Sequence, residues 1–155
     1  MAYSKDLGLD ILLIEDNPHD AELTSKALRK SGLADKLLVL QDGVEALEFL
    51  FGTGAYQDRD PYYLPKVILL DLKLPKVDGL EVLRRIKSED RLKMIPVVVL
   101  TSSEQDSDIQ ESYRLGANSY IVKPVDFDKF FQAVAELGLY WLFLNRISSL
   151  SSGLT

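Results

Sequence analysis

No cysteine occurs among the 155 residues, which excludes a disulfide framework, a thiolate zinc site, an iron–sulfur cluster and a cysteine nucleophile. Long apolar runs are missing as well. The longest uncharged one, Leu137 to Leu144, is too short to cross a bilayer. The amino terminus carries Lys5, Asp6 and Asp10 where a secretory signal would carry its apolar stretch, so a soluble, cytoplasmic protein is expected. Positive charge is in deficit, with 18 basic against 24 acidic residues and a net charge of −6. That field opposes approach to nucleic acid or to an anionic membrane, and neither is expected as a partner.

What is present has the size and composition of one compact domain, with 46% hydrophobic and 27% charged residues. Continuous apolar runs, Ile11–Ile14, Leu37–Leu40, Val67–Leu70 and Val97–Leu100, followed by the shorter Tyr120–Val122, have the length and texture of parallel strands covered on both faces. Between them, Ala21–Lys30, Gly43–Phe51, Leu80–Lys87 and Ser107–Leu115 space their apolar residues at helical period, and a long segment, Phe127–Ile147, follows the last strand. Five βα units in tandem predict an α/β protein with a doubly wound, five-stranded parallel sheet in the order 2-1-3-4-5, closed by an extended C-terminal helix. Residues 1–147 are expected to form the domain, and the Ser/Gly-rich residues 148–155 a flexible tail. Residues 52–65, before the third strand, form an unusually long insert with two glycines, two prolines and three tyrosines.

The order 2-1-3-4-5 places the first and third strands side by side, with a topological switch point at their carboxyl ends. Glu15 and Asp16 follow the first strand and Asp71 follows the third, so three carboxylates converge there. At an effective dielectric near 20, two such charges ~4 Å apart repel by about 4 kcal/mol, so the cluster must recruit a cation or hold a proton. A set of oxygen donors suits Mg²⁺. Thr101 ends the fourth strand and Lys123 follows the fifth, adding a hydroxyl and an ammonium at the same sheet edge. Taken singly, each acid could be a turn or cap residue, Thr101 or Ser102 a helix cap, and Lys123 a solvated loop lysine. Together they compose a phosphoryl-transfer site.

The set Glu15-Asp16, Asp71, Thr101 and Lys123-Pro124, with Gly-Leu-Glu-Val-Leu at 79–83 and Leu115-Gly116-Ala117, resembles the receiver domain of two-component response regulators over Asp10 to about Leu137. The resemblance implies the flavodoxin-like, CheY-like fold and a phosphoacceptor in a His-to-Asp relay rather than an enzyme with a separate substrate. It also implies roles. Asp71 accepts the phosphoryl group; Asp16, Asp71 and the Lys73 carbonyl hold Mg²⁺; Glu15 reaches the metal through water; and Thr101 and Lys123 contact the phosphoryl oxygens. The Lys123–Pro124 peptide is expected to be cis and Tyr120 to be the aromatic that reports phosphorylation. The Glu-Asp pair departs from the Asp-Asp of many receivers, and Lys73 and Ser103 occupy positions that tune the acyl phosphate.

The long insert and the aromatic C-terminal segment are similar to regulators paired with cyanobacterial phytochromes, which implies a phytochrome-type sensor histidine kinase as partner and a receiver that signals without an output domain. His19, the only histidine, is read as solvent-facing near a helix start. A haloacid-dehalogenase-type phosphatase would need an acid where Lys73 stands, and a flavodoxin-like FMN carrier would meet repulsion from Glu15, Asp16 and Asp20. The run Leu139–Leu144 abandons helical period and would leave an apolar patch. A homodimer is therefore expected through the fourth helix, fifth strand and last helix, the alternatives being that this run folds over its own domain or docks on the kinase.

Overall fold

A computed structural model describes residues 9–30, 32, 36–105 and 107–139. Its strands are β1 (Ile11–Ile14), β2 (Leu37–Leu40), β3 (Val67–Asp71), β4 (Val97–Thr101) and β5 (Ser119–Val122). They form one parallel sheet in the order β2-β1-β3-β4-β5. The helices are α1 (Pro18–Arg29), α2 (Gly43–Phe51), α3 (Gly79–Ser88), α4 (Asp108–Arg114) and α5 (Phe127–Glu136).

Because successive strand residues point to opposite faces, the apolar runs feed two cores. Leu12, Ile14, Ile68, Leu70, Val97 and Val99 meet Leu47, Phe49 and Leu50 of α2 and Val82, Leu83 and Ile86 of α3. Ile11, Leu13, Val67, Leu69, Val98, Leu100 and Ile121 meet Leu28 of α1 and Phe130, Ala133 and Val134 of α5. Strands buried on both sides have no polar face to show, which is why they read as continuous apolar runs.

Two helix ends differ from the periodicity reading. α1 begins at Pro18 rather than Ala21, because Asn17 caps it by accepting the backbone N–H of Asp20 at 3.0 Å and Pro18 takes the first position, where no amide is needed. The helix anticipated over Phe127–Ile147 ends at Glu136. Gly138 adopts φ 74°, its N–H bonds the Ala135 carbonyl at 3.0 Å, and the Leu139 N–H bonds the Val134 carbonyl at 2.9 Å. These two bonds make a Schellman stop, with Leu139 packed on the core that holds Val134. The rest of the anticipated helix and the 148–155 tail lie outside the described residues.

The insert folds onto its own domain. It contains a single 3₁₀ turn, Gly54–Tyr56. The Arg59 guanidinium lies 3.9 Å over the Phe49 ring, Tyr56 stands edge-on to Phe49 at 5.3 Å, and Arg91 ties the Pro61 carbonyl to that of Leu50.

Candidate functional site

The carboxyl ends of β1, β3, β4 and β5 deliver the residues singled out by pattern. Glu15 leaves β1 with its N–H bonded to the Leu40 carbonyl at 2.9 Å. Asp71 is the last residue of β3, paired in register with Leu100 of β4. Thr101 ends β4 opposite Val122, and the Lys123 N–H bonds the Thr101 carbonyl at 2.8 Å. The Lys123–Pro124 peptide is cis.

Oxygens of Glu15, Asp16 and Asp71 lie within 4.8 Å of one another, Glu15 and Asp71 buried and Asp16 exposed. The Lys123 ammonium sits over them. Its Nζ donates to Asp71 Oδ2 at 3.1 Å and to Asp20 Oδ2 at 3.2 Å, and stands 2.8 Å from Glu15 Oε1. That last contact is one of charge: Oε1 is buried and receives no aligned hydrogen bond. Burial, reinforced by Asp71, raises the Glu15 carboxyl to about 7, against the pull of Lys123. The Lys123 ammonium is raised above its ordinary value: burial opposes this, but Glu15 and Asp71 outweigh it.

The loop after β3 is held tightly. The Lys73 N–H donates to Asp71 Oδ1 at 3.0 Å, while its ammonium reaches Asp108 at the start of α4, 3.4 Å away. Lys76 takes φ 70° and pairs with Asp42 at 3.3 Å. Gly79 starts α3 so close to the end of β3 that a Cβ would lie 2.5 Å from the Asp71 carbonyl oxygen.

Thr101 stands at the expected sheet edge, but its hydroxyl donates to the Ser103 carbonyl at 3.1 Å, along the loop that follows β4. Tyr120 is half-buried and edge-on to Tyr113, ring centres 6.3 Å apart. His19 is exposed in the first turn of α1. Asp20 is the residue that pattern reading missed as a member of the site. Its position in a first helical turn suits the helix dipole equally well, and its pairing with Lys123 spans 103 residues.

Do these residues suit a divalent cation? Three clustered carboxylates facing a single ammonium, with the buried Glu15 Oε1 receiving no aligned hydrogen bond, are a hard, oxygen-only donor set short of positive charge, and they fit one.

A sheet of this order with acids, hydroxyl and lysine at its switch point has the parts of a receiver domain, and comparison places the chain in that class. The response regulator receiver domain matches residues 11–135, and the chain belongs to that family. It is similar to the probable methanogenesis regulatory protein FilR2 of Methanothrix harundinacea, 43% identical over 88% of this chain and 85% of that one. Response regulator Rcp1 of Synechocystis is 42% identical over 85% of this chain and 88% of its own; its Mn²⁺-bound structure superposes with a TM-score of 0.68 over 85% and 93% of the two chains. The bacteriophytochrome response regulator RtBRR is 44% identical, with a TM-score of 0.77 over 94% of each chain. Phytochrome-linked regulators are thus among its homologues. No helix among the described residues is long and apolar enough to cross a membrane.

Proposed function

We propose that the protein takes a phosphoryl group from a phosphohistidine of a phytochrome-type sensor kinase onto Asp71 and signals through its own surface. The observation that carries this reading is the buried Asp71 carboxylate, with the Lys123 ammonium 3.1 Å away and Glu15 and Asp16 grouped around it. An Asp71 oxygen attacks phosphorus, the P–N bond breaks, and the donor ring, protonated at its other nitrogen, leaves as neutral imidazole. Lys123 offsets charge on the transferring oxygens, and the Thr101 hydroxyl turns from Ser103 to bond one of them. Asp16, Asp71 and the Lys73 carbonyl would hold Mg²⁺, with Glu15 reaching it through water. The bound ion would supply further neutralisation of phosphoryl charge. The protein acts on itself, as a cytoplasmic relay component and not as an enzyme with a separate substrate. Its net charge of −6 argues against nucleic acid and membrane as partners. The phytochrome assignment rests on the likeness to the bacteriophytochrome response regulator RtBRR.

The test is incubation with acetyl phosphate and Mg²⁺ followed by intact-mass measurement. One phosphoryl mass gain is expected in the wild type and none in Asp71→Asn or without Mg²⁺; an unchanged gain in the variant moves the acceptor elsewhere. The same reading places a homodimer contact on α4, β5 and α5. There a cavity of about 450 Å³ is lined by Tyr113, Tyr120, Lys129 and Glu136 among others, and Phe131 is exposed. The anchor beyond Leu139 lies outside the described residues. Sedimentation of the wild type against Trp141→Glu with Leu144→Glu tests it: a wild-type monomer at micromolar concentration, with and without beryllofluoride, overturns the dimer.

A further inference from the structure

An ammonium has three N–H donors and no more. Lys123 Nζ donates to Asp71 Oδ2 and Asp20 Oδ2 and has Glu15 Oε1 beside it at 2.8 Å as a contact of charge, so three carboxylate oxygens surround the ammonium. A phosphoryl oxygen that arrives at this ammonium therefore competes with the carboxylate oxygens already around it. The three differ sharply in what release would cost. The Glu15 side chain is 0% exposed and that of Asp71 is 5% exposed, so neither can exchange Lys123 for bulk water. The Asp20 side chain is 33% exposed and lies in the first turn of α1, where solvent can hydrate it and the helix dipole favours its charge.

We propose that Asp20 is a positioning residue that holds Lys123 in the resting protein and is the partner exchanged for a phosphoryl oxygen. The inference rests on the reading of Asp71 as acceptor. Asp20 touches neither Asp71 nor the phosphoryl group in this account; it acts through Lys123 by keeping the ammonium from swinging into solvent and by competing with the incoming anion for the N–H that it accepts. Because the competitor is a carboxylate at the mouth of the site, its strength sets how readily the receiver accepts and keeps its charge. Removing it lowers the cost of engaging the phosphoryl group.

The experiment is a double-mutant cycle on the full chain, with beryllofluoride and Mg²⁺ as the phosphoryl mimic, comparing wild type, Asp20→Asn, Lys123→Gln and the double variant. Asp20→Asn is expected to bind beryllofluoride about threefold more tightly, the scale of one partly exposed ion pair. It is expected to make no difference once Lys123 is glutamine. Asp20→Glu, which keeps the carboxylate, is expected to restore wild-type affinity. In the metal-free protein, NMR should show faster solvent exchange of the Lys123 ammonium protons in Asp20→Asn than in the wild type, a readout that a purely helix-capping Asp20 would leave unmoved. The same tightening in the Lys123→Gln background would show bare repulsion of the anion by Asp20 and overturn the proposal, as would unchanged affinity or unchanged ammonium exchange in Asp20→Asn. Wild-type protein that takes up no beryllofluoride overturns the acceptor reading itself, and this one with it.

Discussion

Asp71 is held by atoms that tolerate almost no displacement, and Gly79 is the clearest of them. A methyl group there would stand 2.5 Å from the Asp71 carbonyl oxygen and 2.5 Å from the Leu72 Cα. Both are backbone atoms that cannot rotate away, so the start of α3 or the end of β3 must move. Gly79→Ala is expected to cost about 1–3 kcal/mol, the range for forcing extra volume into a close-packed site. On the proposed role of Asp71 it should also slow phosphoryl uptake, because that carboxylate moves with its strand end. Denaturant melts and timed intact-mass measurements check both; a variant with the wild-type midpoint and rate contradicts this account of the contact.

α2 is tied to the loop after β3 through its cap. Asp42 Oδ1 accepts the Glu45 N–H at 2.7 Å, and Oδ2 pairs with Lys76 in the loop after β3. The Glu45 amide, and after it Lys76, hold the Asp42 carboxyl below its ordinary 3.8. A carboxyl lowered on folding stabilises the native state above its unfolded value and loses that contribution as pH falls through the folded one. Asp42→Ala is expected to cost about 1 kcal/mol near neutral pH, as loss of a helix cap does. The gap between variant and wild type should close as the medium is taken well below pH 3.8. Urea titrations at the two pH values measure it, and a gap that widened in acid would give the wrong sign.

The whole molecule gathers like charge at one end of its sheet, and a cation bound only by the folded state must stabilise it. Mg²⁺ at about 100 times its dissociation constant is expected to add about 2.7 kcal/mol. A chelator should return the thermal midpoint to its metal-free value, and Asp16→Asn should flatten the response. Thermal melts across a Mg²⁺ series test this; a midpoint indifferent to Mg²⁺ in the wild type would show that Glu15, Asp16 and Asp71 do not form a cation site.

Patterning alone determined the strand and helix sequence, because a strand buried on both faces and a helix buried on one leave different apolar periods along the chain. From those elements the sheet order and its switch point followed, and with them the grouping of Glu15, Asp16, Asp71 and Lys123 at one edge. Local chemistry could also have located the ends: Asn17-Pro18 opens α1 and Gly138 stops α5, but the apolar run beyond Gly138 masked the stop. Only the tertiary structure decided which side chains meet. The joining of Asp20 to Lys123, of Lys73 to Asp108 and of Lys76 to Asp42 has no periodic trace, because an ion pair needs two points in space and the chain between them is free to vary. The same holds for Gly79, whose small size is set by the backbone of Asp71 and Leu72 passing beneath it, a distance that no one-dimensional pattern records.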